Sequence, residues 1–276
     1  MNRCEILKQI AAELSSGEVA FPTNAMLALE LRRALSDPEC HVDQAARLIK
    51  AEPLLSAKVV ALANASVFNT SGRPITDVRS AVSRIGFRTL HTLTTSLVTR
   101  QLAHATTPMD RRFAARLWEH TTHVAALAYV IARNVTGLDP ETALFAGVVH
   151  EVGGFYVISR SADFPGLLDE DFSAWSECGE AEIGRVVLRM LEVPDSVVEA
   201  IEACWQGYLA LPPTTLGDTL LLAEELSPMD SPLRVLDGVH REGLRASIDM
   251  VVGKASLSEI MAESAHELKS LTAALH

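Results

Sequence analysis

The sequence predicts an all-α protein, and three observations carry that expectation. Apolar residues recur at helical spacing in segment after segment, and almost no stretch shows the alternation of a strand. The composition, 48% hydrophobic but only 5% aromatic, suits helices built on Ala, Leu and Val. Gly and Pro mark short loops between apolar-faced segments, which argues for compact helical packing, and no fixed-period repeat accompanies them.

Taken in order, Ile6, Ile10, Ala11 and Leu14 share one face of a first helix over residues 4–15, stopped at Gly17. Pro22 and Thr23 start a second through Leu27, Leu29, Leu31 and Leu35, and Val42 to Ile49 is a short third. Pro53 opens the segment Leu54 to Asn64 from a first-turn position that tolerates proline. Ser71-Gly72-Arg73-Pro74 is a loop. Asp77 is the expected N-cap of a helix ending in left-handed conformation at Gly86, with Phe87 to Ala103 next. A long helix runs from Pro108 to about Val135 and ends at Gly137. Asp139-Pro140-Glu141 then supplies an N-cap, a first-turn proline and an early acid for a helix through Phe145 to His150. Further helices are expected over 173–191, 194–206, 215–226, 231–250 and 255–275.

The net charge of −11 is unevenly spread: residues 1–162 carry a balance of +3 and residues 163–276 one of −14. So acidic a C-terminal part repels phosphate backbones and disfavours broad nucleic-acid binding. The arginines between Arg73 and Arg133 offer a local anion-binding surface or, more simply, a solvated helix exterior. Charges interrupt every apolar run, so no membrane span is expected, and the N-terminus reads as an amphipathic helix rather than a signal peptide. Cys4, Cys40, Cys178 and Cys204 are scattered without a C-x-x-C pair. They fit a reduced, cytoplasmic thiol inventory better than a disulfide framework or zinc site.

Residues with chemistry concentrate on two helices. His120 and His123 are three apart and share a face; His150 and Glu151 end the next helix, just before Gly153-Gly154. Imidazole plus carboxylate suits a hydrolytic metal, although helical histidines more often serve as hydrogen-bonded core or surface groups. Plainer roles are expected elsewhere. Asn64 holds the turn that follows it, and Gly153 and Gly154 allow tight helix packing. Trp118, Trp175 and Trp205 anchor core or interface, and Glu224-Glu225 forms a solvated helical edge. Nothing marks Cys204 as a nucleophile.

Several ordered motifs resemble the HDOD family. Ala51-Glu52-Pro53-Leu54-Leu55 through Leu62-Ala63-Asn64-Ala65-Ser66 is similar to its "DP-x-L" start leading to "L-x-N-S". Ala81-Val82-Ser83-Arg84-Ile85-Gly86 through Leu90 is similar to "A-I-x-x-L-G-x-x-x-L", and Trp118-Glu119-His120 with Ala125-Ala126 to "W-x-H-S…A". Ala143 to Gly154 resembles "A-x-x-A-G-L-L-H-D-I-G", and Ile183-Gly184 through Val193-Pro194 resembles "G-x-x-L-x-x-x-W-x-L-P". Each match is loose; their joint order is specific. The resemblance implies an HD-like helical bundle (108–215) with an additional N-terminal bundle (1–107), to which a C-terminal helical extension (216–276) is added.

The resemblance also implies bacterial signalling rather than catalysis. HD phosphohydrolases hold one or two metals with a His, a His-Asp pair, further histidines and a late Asp. His120 and His150 match, whereas Glu151 stands for the paired Asp, Glu180 for a His, Cys204-Trp205 for a His-His pair and Glu224 for the late Asp. The extra methylene of Glu151 is expected to displace its carboxylate. His120, His123, His150, Glu151, Glu180, Cys204 and Glu224 thus form a vestigial pocket. No cofactor is expected, with a single metal on His120, His150 and Glu151 as the alternative. The expected function is a non-catalytic module acting through protein contacts, with receiver or cyclic-dinucleotide enzyme domains as partners, or a homodimer. A phosphohydrolase with altered ligands and a nucleotide- or anion-binding sensor are the alternatives.

Overall fold

The computed structural model describes the chain except residues 1, 17–28, 30, 52, 103–106, 169–173, 211, 234–259, 263 and 276. Among the described residues there is no strand. The helices are α1 (Arg3–Ser16), α2 (Val42–Lys50), α3 (Pro53–Ala63), α4 (Val78–Leu102), α5 (Pro108–Ile131), α6 (Pro140–Val149), α7 (Val152–Ser159), α8 (Ala174–Cys178), α9 (Glu180–Met190), α10 (Asp195–Gln206), α11 (Leu216–Leu226) and α12 (Ala265–Leu275). Residues 31–35 are helical too, whereas the expected start at Pro22 and nearly all of the expected 231–250 helix lie outside the described residues.

Local chemistry sets these boundaries. Thr107 caps α5 by accepting from Asp110 N, with Pro108 in the first turn. Beyond Ile131 the chain makes one π turn, Ala132–Thr136, and stops at Gly137, whose φ of 68° is left-handed. Asp139 caps α6 through Thr142 N, and Thr215 with Asp218 forms a reciprocal capping box at α11. Gly86 departs from expectation: its φ of 75° comes with ψ of 170°, so it kinks α4 and the helix restarts at once at Phe87. Asn64 performs the expected turn-holding role with both ends of its amide. It donates to Ile75 O (2.7 Å) and accepts from Ile75 N (2.8 Å).

α5 is the central helix. α6 lies along it, α11 and α12 cover other faces, and α4 packs on α6 and α7. The approach of α5 to α6 is unusually close, since a Cβ on Gly147 would stand 2.5 Å from Ala125 Cα. Likewise a Cβ on Gly153 would meet Gly184 Cα at 2.8 Å, so Gly153 serves the packing of α7 on α9. α2 and α3 pack on α4, whereas α1 seats on α8 and α9. At the other end, the buried Lys58 donates to Leu275 O (2.7 Å), capping α12 from α3.

One expectation is corrected. Cys4 and Cys178 are joined in a disulfide with Cα atoms 5.4 Å apart, while Cys40 and Cys204 are free and buried. A separation of 174 residues leaves no local pattern from which that pairing could be read. The stretch Pro140–Ser159 does reach the length and apolarity of a membrane span, but 83% of its best window is buried in the fold. It breaks at His150-Glu151 into α6 and α7, and its apolarity is that of a core hairpin.

Candidate functional site

The residues that converge come from three places. α5 brings His120, the α6–α7 junction brings His150 and Glu151, and α11 brings Glu224. One ligand atom from each lies within 4.8 Å of all the others. His120 Nε2 is 3.2 Å from Glu224 Oε2 and 3.7 Å from Glu151 Oε2. His150 Nε2 is 2.9 Å from Glu224 Oε1 and 3.9 Å from Glu151 Oε2. All four residues are buried, His120 completely.

The imidazoles are oriented from behind. His120 Nδ1 donates to Met229 O and His150 Nδ1 to Gly147 O, both at 2.7 Å. With Nδ1 carrying that proton, each neutral ring turns the Nε2 lone pair toward the carboxylates, the arrangement found behind metal-bound histidines. His120 Nε2, His150 Nε2, Glu151 Oε2 and Glu224 Oε1 are close but make no well-directed hydrogen bond. Lone pairs facing carboxylates in a buried site require positive charge between them. One source is a proton. Burial opposes charge on His120, but Glu224 and Glu151 outweigh it and hold the ring up at about 9. Burial likewise works against the Glu224 carboxylate, and the facing His120 and His150 rings hold it well below its ordinary value. The other source is a divalent cation, which this two-nitrogen, two-carboxylate set fits.

The structure therefore revises the expected effect of two substitutions. Glu151 keeps a carboxylate oxygen within 4.8 Å of the other three donor atoms despite its extra methylene. It sits outside both helices, with φ −108° and ψ 21°, so its side chain is not confined to a helical face. Glu224 is not part of a solvated edge: it and Glu225 are buried, because α11 is covered from Gly217 to Glu225. His123, Glu180 and Cys204 stand outside the four-donor group. His123 Nδ1 donates to Glu119 O, and the ring lines an apolar groove of about 630 Å³ beside Leu226, Pro228 and Leu268. Glu180 is buried in the first turn of α9, and Cys204 in α10. Trp205 packs on Gly184, where a Cβ would lie 2.7 Å from the ring.

A strap invisible to sequence reasoning, residues 227–233, covers this centre. Ser231 Oγ donates to Glu151 Oε1, Met229 O receives the His120 ring, and Leu233 fills the space a Cβ on Gly154 would take. Ser227 Oγ donates back to Met229 O (2.8 Å), which stiffens the strap. Ser, Pro, Met and Asp in succession have no periodicity, so nothing in this stretch announced a contact. Of the nine arginines in the stretch offered as an anion surface, at least four are committed to protein partners. Arg79 pairs with Asp43, Arg88 with Asp139 and Glu141, and Arg133 with Glu267, while Arg84 bonds the carbonyls of Ala63 and Arg73.

Fold and site together define an all-helical protein of the HD-like class, built around a buried histidine–carboxylate centre. Residues 21–206 match the model of the HDOD domain, and the chain belongs to the HDOD family. It is 24% identical over 212 residues to an uncharacterized protein of Treponema pallidum (strain Nichols), a match spanning 70% of this chain but 39% of that protein. Its fold is similar to that of a Shewanella amazonensis SB2B protein, provisionally described as a metal-dependent phosphohydrolase. There the TM-score is 0.76 at 21% identity, covering 99% of both chains. A Marinobacter aquaeolei VT8 protein, provisionally described as a signal transduction protein, aligns at TM-score 0.57 and 18% identity, covering 93% of this chain and 59% of that one. These likenesses carry the fold and not the activity.

Proposed function

We propose that this chain is a non-catalytic signal-transduction module acting through protein contacts, and that its histidine–carboxylate centre is structural. The observation that supports this reading is the strap. A catalytic metal site keeps a coordination position open to substrate, whereas structural sites are closed. Here Met229 and Ser231 are bonded to the site residues themselves, and the donors are buried. In this reading the module works in the cytoplasm, with a receiver or cyclic-dinucleotide enzyme domain as partner. The test uses purified chain, chelated and then reloaded with Mn, Fe or Zn. No turnover of bis-p-nitrophenyl phosphate or cyclic dinucleotides is expected, together with measurable binding to a purified receiver or diguanylate cyclase domain. Metal-dependent turnover without partner binding would sink the proposal.

A second reading, a phosphohydrolase with altered ligands, is favoured by the donor set itself. His120, His150, Glu151 and Glu224 would hold the ion, which when bound supplies a Lewis acid and an activated water. The protein's own part is to orient the two rings through Met229 O and Gly147 O, and to limit access to the site with the strap. Ser231→Gly removes the hydroxyl that ties the strap to Glu151. Activity that rises in this variant, with metal content unchanged, would favour the second reading over the first.

A further inference from the structure

The α1 seam is distinct from the centre and carries its own chemistry. α1 buries Leu7, Ile10, Ala11 and Leu14 against α8 and α9, and Glu13 pairs with Arg160 at 2.8 Å. The Cys4–Cys178 disulfide crosses this seam at the end of α8. Both cysteines are half-buried, and Cys178 faces a recess of about 430 Å³ shared with Lys8, Ser15 and Glu182. A small thiol can thus reach the bond. Cys40 and Cys204, by contrast, are buried; Cys40 borders a recess of its own, but burial pushes its thiol up, away from the reactive thiolate. One reachable pair beside two buried free thiols is not the inventory of a disulfide scaffold.

The bond also has a mechanical connection. Cys178 ends the same short helix as Trp175, which is fully buried. The Trp175 ring lies against Gly179, where the chain turns into α9, and against Gly153, two residues beyond Glu151. A Cβ on Gly179 would also come within 3.2 Å of Leu7. α1, Trp175 and the start of α7 therefore share one packing surface.

We propose that Cys4–Cys178 is a reversible thiol–disulfide switch, which fixes α1 on α8 and α9 when oxidised and loosens it when reduced. The oxidant class is a small-molecule disulfide of the glutathione type. One protein thiolate attacks a sulfur of that disulfide, breaking its S–S bond, forming a mixed disulfide and releasing a thiolate. The second protein thiolate attacks the bound cysteine sulfur and expels the other thiolate. Two protein thiols and one disulfide become one protein disulfide and two small thiols, with the two protons passing to the leaving groups. The apolar seam and the Glu13–Arg160 pair persist in both states, so reduction loosens α1 without unfolding the chain.

The full chain is equilibrated in buffers of graded glutathione ratio, and its free thiols are counted by maleimide mass tagging. Hydrogen exchange is then read by mass spectrometry. A single reversible transition is expected, with amides of residues 3–16 and 174–179 exchanging at least about tenfold faster in the reduced chain. Cys4→Ser and Cys178→Ser should each exchange like the reduced chain in every buffer. Thiols that stay free at every ratio, a bond that resists excess reduced glutathione, or exchange unchanged by reduction would each overturn the proposal. Reduction of the unmodified chain gives the answer even where a variant folds poorly.

Discussion

The histidine–carboxylate centre and the α1 seam hold this molecule together in opposite ways. In the centre, buried groups from α5, α11 and the α6–α7 junction neutralise one another, so each group's charge depends on the others. In the seam, four buried apolar side chains act side by side with one partly exposed ion pair and one half-buried disulfide. The contrast teaches that burial alone does not set how a region responds to change. What matters is whether its parts share a partner. The centre should respond cooperatively and the seam additively.

The largest expected effect is at Glu224. Glu224→Ala leaves two imidazoles and Glu151 without their shared partner, and should lower stability by about 3–5 kcal/mol in chelator. Urea unfolding measures this. A cycle with His120→Ala should show coupling above about 1.5 kcal/mol; additive losses would dissolve the contrast. A pH series sharpens it. His120 is held at about 9 against an ordinary 6.5, so its share of stability is complete below pH 6.5 and lost as pH rises through 9. Glu224 lies below its ordinary 4.5, so its share is complete above pH 4.5 and lost on acidification. Chelated protein should therefore weaken between pH 6.5 and 9, and Glu224→Gln should flatten that decline. An unchanged slope would show that the pair is not its source.

Next in size, Leu7→Ala should cost about 2–4 kcal/mol by emptying the fully buried end of the seam. Gly147→Ala should cost about 1–3 kcal/mol, because the new methyl meets main chain that cannot rotate away. Smallest of all, Glu13→Gln should cost at most about 0.5 kcal/mol, as a partly exposed ion pair does. Leu7→Ala and Glu13→Gln together should sum within about 0.5 kcal/mol. Thermal and urea unfolding decide each, and strong coupling in the seam would again remove the distinction.

The helical architecture was legible because its punctuation is local. Asp139-Pro140, Thr107-Pro108, Gly137 and Asn64 all act through bonds within a few residues or across one turn. His120, His150 and Glu151 were legible as candidates from residue type and motif order. Glu224 was read as a solvated edge because acids at the end of a helix usually face water, whereas α11 is enclosed on nearly every side. The strap and the disulfide were invisible for a different reason. Both depend on residues 80 or more apart in the chain, and neither segment has a periodicity that names its partner.

The meeting of Ala125 and Gly147 has a practical consequence for anyone adapting this scaffold. It fixes α5 against α6 through main chain, and so acts as a gauge holding the two rings 5.6 Å apart whatever decorates the outer faces. Surface redesign can proceed freely without disturbing that spacing. New reactivity would be sought by re-cutting residues 230–233 and leaving Met229, whose carbonyl orients His120, in place.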